Sequence, residues 1–75
     1  MKLKQLALEI GTAINKDASE TQRRSLGVSK LVEINKGWTV DSIRTLMSRG
    51  SEVEQLDNGD YVLTNKTTKV FKVKL

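Results

Sequence analysis

Seventy-five residues make one domain with a marginal core, and 37% hydrophobic against 29% charged residues is too apolar a balance for disorder. There is no cysteine and no histidine, which excludes disulfides, thiolate metal sites and the commonest general base. The net charge of +4 suits a partner that carries negative charge.

The chain begins with basic residues before apolar ones, as a secretory signal would. Glu9 interrupts that run, and the spacing Leu3, Leu6, Ala7, Ile10, Ala13, Ile14 is helical instead. A first amphipathic helix is therefore expected over residues 2–15, weakened by Gly11 at about 1 kcal/mol against alanine. No stretch approaches the length of a membrane span. Small secreted domains lean on disulfides, so the expected location is cytoplasmic, with no membrane partner.

Residues 15–25 carry almost no apolar side chain and read as a loop or a solvated helical turn. Asp17…Glu20 and Ser19…Gln22 are both available there as capping boxes. Leu26, Val28, Leu31, Val32 and Ile34 mark a second helix, expected over residues 29–36 and ended by Gly37. A short Trp38-Thr39 link leads to a third helix over residues 40–49. Thr39 caps it, Val40, Ile43, Leu46 and Met47 form its apolar stripe, and Gly50 takes the left-handed stop.

The strands follow at once. Val53-Glu54-Gln55-Leu56 and Tyr61-Val62-Leu63-Thr64 flank Asp57-Asn58-Gly59-Asp60, and Asn-Gly is the strongest short-range hairpin signal. After a second turn over residues 65–68, the last segment alternates, with Phe71, Val73 and Leu75 on one face and Val70, Lys72 and Lys74 on the other. The expected fold is α+β, three short helices followed by a small antiparallel sheet of three strands in a meander, winged-helix-like, over residues 1–75.

Charge is segregated along this plan. Residues 1–51 hold nine Lys/Arg and five Asp/Glu, residues 52–65 hold four acids and no cation, and residues 66–75 hold four lysines and no acid. Such blocks create a local field; alternatively, neighbouring strands pair the opposite charges across the sheet.

Leu46-Met47-Ser48-Arg49-Gly50, then Val53-Glu54, then Gly59-Asp60-Tyr61-Val62-Leu63-Thr64 resemble the recognition helix and wing of winged helix-turn-helix proteins, particularly small phage-type and regulatory ones. The resemblance covers the last half of the chain. It implies that the third helix reads DNA, that Leu46 anchors that helix, and that Tyr61 and Leu63 seat the wing on the core. The wing tip departs from the pattern, because its two aspartates repel phosphates where a Lys or Arg is usual. Leu26-Gly27-Val28-Ser29 also looks like the turn of repressor-type helix-turn-helix domains, which would make residues 30–36 the reader.

On the outward face of the third helix, Ser42, Arg44, Thr45, Ser48 and Arg49 are candidate DNA contacts, with Asp41 beside them. If the third helix enters the major groove, Arg44 is the candidate for a bidentate guanine contact, worth about 1–3 kcal/mol of discrimination. The bland alternative is a solvated helix face, with Arg49 stabilising the helix end. Arg23, Arg24 and Lys30 cluster near the second helix, and Lys66 and Lys69 begin a basic strip that Lys72 and Lys74 continue. Trp38, at a helix junction beside apolar neighbours, reads as core more readily than as a binding residue.

Asp57 and Asp60 suit turn chemistry better than acid–base work, and neither a phosphate-cradling glycine loop nor a metal-ligand spacing is present. The sequence therefore points away from an enzyme and implies no cofactor. The expected function is a small DNA-binding regulator acting in transcription. The alternative is a small protein-interaction module or inhibitor, of the kind a phage encodes, that docks on a host protein or pairs as a homodimer.

Overall fold

The computed structural model describes residues 1–64 and 70–73. Three helices precede three strands: α1 (Leu3–Ile14), α2 (Glu20–Ile34), α3 (Val40–Ser48), β1 (Val53–Gln55), β2 (Tyr61–Leu63) and β3 (Val70–Phe71). The strands form one antiparallel sheet in the order β1-β2-β3. This is the α+β arrangement expected from the sequence. The turn over residues 65–68 and the lysines Lys66, Lys69 and Lys74 lie outside the described residues.

The core is aliphatic, with Phe71 at its centre. Leu3, Leu6 and Ile10 of α1 meet Val28 and Leu31 of α2, Ile43 of α3, and Val53 and Leu63 of the sheet. Trp38, Leu46, Met47, Tyr61 and Val73 pack around this cluster, with the Trp38 ring tilted on Phe71 at a centroid distance of 4.6 Å. The end of the α1 stripe departs from expectation: Ala13 and Ile14 are exposed, and so is Val40 at the start of α3.

The second helix is the main correction. It begins at Glu20, nine residues before the expected start, and takes in most of the segment read as a loop. Ser19 opens it with a reciprocal capping box: its hydroxyl accepts from the Gln22 N–H, and the Gln22 side chain accepts from the Ser19 N–H, both at 3.2 Å. Leu26-Gly27-Val28-Ser29 lies inside this helix, so the repressor-type alignment that placed a turn there is wrong.

Gly27 and Gly11 explain the arrangement. A Cβ on Gly27 would overlap the Ala7 carbonyl, and one on Gly11 would overlap the Arg23 carbonyl. The two contacts run in opposite order along the helices, so α1 and α2 are antiparallel with their backbones in near contact. Both glycines are there for close approach.

The α3 end and the hairpin follow the sequence closely. The Thr39 hydroxyl accepts from the Ser42 N–H at 3.1 Å, and Gly50 and Gly59 take positive φ of 71° and 92°. Leu56 N–H donates to the Asp60 carbonyl at 2.6 Å, and the Asn58 side chain accepts from the Asp60 N–H. Residues 1–3 run beside β1: Leu3 N–H donates to the Ser51 carbonyl and Val53 N–H to the Met1 carbonyl.

Candidate nucleic-acid interface

The polar face of α3 is open. Asp41, Ser42, Arg44, Thr45, Ser48 and Arg49 are all exposed, while Ile43 is buried and Leu46 and Met47 are partly covered. The helix separates two grooves.

On one flank, Arg44, Met47 and Ser48 of α3 join Lys4 of α1 and Arg24 of α2 around a cavity of about 220 Å³. Arg24, Arg44 and Met47 also line an adjoining cavity of about 190 Å³ with Thr21, Ser25 and Val28. Three helices thus each contribute one cation to a common depression floored by a thioether. Among the described residues no carboxylate lines the larger of the two cavities, and Lys4, Arg24 and Arg44 take part in no ion pair. Glu20 lines an adjoining depression with Lys2, Lys4 and Arg24. Cations gathered with no carboxylate lining the depression between them raise the local potential, and its low-dielectric walls focus it.

On the other flank, Ser42 and Thr45 of α3 face a larger groove of about 710 Å³. Trp38 and Leu46 form its apolar wall with Val70 of β3, and Lys36 and Asp41 stand at its polar rim. Val70 is 47% exposed.

The remaining predicted contacts are placed elsewhere. Arg23 turns toward α1, where its Nη1 donates to the Thr12 hydroxyl at 3.2 Å and its Nε is buried without a partner. Lys30 pairs with Glu33 on its own helix at 3.8 Å. Arg49 caps the C-terminus of α3 and lines neither groove. Lys66 and Lys69 fall outside the described residues. Lys4 was missed by sequence reasoning, because nothing in its local pattern reveals that it meets residues 20 and 40 positions away.

The lysines Lys66, Lys69 and Lys74, which the sequence offered as cross-strand partners for the hairpin acids, lie outside the described residues. Glu54 lies opposite Val62, and Val62 opposite Val70, so the register brings valines rather than lysines to that row. Glu52 instead pairs with Lys2 at 3.1 Å, an exposed contact of small energetic weight.

Among the described residues no group of His, Cys, Asp or Glu side chains is placed to hold a metal ion, and no helix is long and apolar enough to cross a membrane. No protein-family model, no curated protein and no solved structure matches the chain significantly.

Proposed function

We propose that this protein is a small DNA-binding regulator that engages DNA along α3, with phosphates held in the depression of Lys4, Arg24 and Arg44. The observation that carries this reading is the convergence of those three cations, from three separate helices, with no carboxylate lining the cavity between them. Crowding like charges costs folding free energy, and a polyanion offsets that cost. The order of a capped helix, a glycine stop and a tight hairpin supports the winged-helix resemblance.

In this reading the acidic hairpin stands off the DNA, unlike a wing that reaches phosphates. Glu52, Glu54, Asp57 and Asp60 would be repelled by the backbone, so α1 supplies the contact that a basic wing usually makes. One such module binds non-specific duplex at about 10⁻⁴–10⁻⁶ M at physiological salt.

A titration of labelled duplex at several salt concentrations tests the proposal. Log affinity falls linearly with log salt, and each phosphate contact removed flattens that slope by about 0.9. Arg24→Ala together with Arg44→Ala therefore reduces the slope by about 1.8 if each holds one phosphate. Binding that is indifferent to salt, or unchanged in the double variant, overturns the reading.

A further inference from the structure

We infer that the groove on the far flank of α3 receives an unpaired DNA base, stacked on Trp38, and that the protein therefore prefers single-stranded or locally opened DNA to closed duplex. This inference rests on the polyanion reading above and adds to it the form of DNA that is bound.

The two grooves differ in the way a nucleotide differs along its length. One is cationic, with Lys4, Arg24 and Arg44, and suits phosphate. The other, about 710 Å³, offers an indole wall, the hydroxyls of Ser42 and Thr45, and the Asp41 carboxylate. Base edges present both donors and acceptors, and such a rim answers to both. A positively charged track beside an aromatic platform is the general arrangement by which proteins hold single strands. With side chains, an α-helix is only about 10–12 Å across, so one strand crossing α3 reaches both sides.

Trp38 is fixed for this task. Its ring packs on the fully buried Phe71 at 4.6 Å while the residue remains partly exposed at the groove wall, so little side-chain entropy is left to lose on stacking. The competing occupant of this groove is a partner's strand added to the edge of β3. That edge is closed at Lys72, whose N–H and carbonyl are both taken by the Asn35 side chain. A base is therefore the better fit.

Trp38 is the sole tryptophan, so its emission reports on the groove directly. The full chain is titrated with an end-labelled oligothymidylate, an abasic strand of equal length and a matched duplex, following anisotropy and tryptophan emission together. The thymidylate strand should quench the emission and bind more tightly than the duplex. The abasic strand should bind about 5- to 100-fold more weakly than the thymidylate and leave the emission unchanged.

Val70→Glu places a carboxylate at the groove mouth on an exposed position, and should bring the thymidylate-to-abasic ratio close to one without unfolding the chain. Equal binding of thymidylate and abasic strands with unchanged emission, or tighter binding of the duplex, overturns the stacked base and leaves the phosphate depression standing. Absence of salt-dependent binding to all three ligands overturns both readings.

Discussion

The side chain of Asn35 binds the backbone of Lys72 as a neighbouring strand would. Its Oδ1 accepts from the Lys72 N–H at 2.8 Å and its Nδ2 donates to the Lys72 carbonyl at 3.1 Å, while Nδ2 also donates to the Leu31 carbonyl at 2.9 Å. One residue thus closes the end of α2 and fastens the segment that follows β3 to it. At 6% exposure the Asn35 side chain is itself buried, and its bonds to Lys72 are part-buried.

Asn35→Ala should therefore cost about 2–4 kcal/mol, since it removes three hydrogen bonds and leaves the part-buried Lys72 N–H and carbonyl without their partner. In a domain of this size that is a fall in Tm of roughly 10–25 °C, read by thermal and urea unfolding. Asn35→Asp keeps the shape but replaces the donor with a carboxylate facing two carbonyls. It should be at least as damaging at neutral pH and recover partly in acid, where the protonated carboxyl can donate again.

Alanine at Gly27 or Gly11 gives a test by sign. At an exposed helical position, Gly→Ala stabilises by about 1 kcal/mol. At these two sites the new methyl meets the backbone of the facing helix, which cannot move aside as a side chain would. Each substitution should destabilise by about 1–3 kcal/mol or more, read from urea unfolding midpoints. A stabilising effect at either site would refute the close crossing of α1 and α2.

Arg23 and Arg24 are adjacent in sequence and should respond in opposite ways. Arg23→Met removes a buried Nε that has no partner and keeps an unbranched apolar stem, so stability should hold or rise and DNA affinity should not change. Arg24→Met removes one of three crowded cations. Stability at low salt should rise slightly, the gain should shrink in 1 M salt, and DNA affinity should fall. Paired urea melts and binding titrations at two salt concentrations separate the two residues.

The helix caps lie outside the phosphate depression. Ser19→Ala and Thr39→Ala each remove an acceptor for an orphan N–H in the first turn of a helix and should cost about 1 kcal/mol. The two sites share no hydrogen-bond partner, so the double variant should lose close to the sum, as checked by urea unfolding.

The sequence by itself determined every element whose signal is local. The Thr39 cap, the glycine stop at Gly50, the Asn58-Gly59 turn and the alternation around Phe71 are each decided within a few residues by backbone sterics and side-chain periodicity. The α+β order and the open polar face of α3 followed from them. Tertiary structure alone decided the extent of α2, because residues 20–25 lack an apolar stripe and Gly27 serves a neighbouring helix by having no side chain. It also decided which cations act together. Lys4, Arg24 and Arg44 lie far apart in the chain, and Arg23 and Arg24 face different neighbours because successive helical residues project about 100° apart. Proximity of that kind is set by how helices cross, a relation carried by packing across the core and by no local pattern.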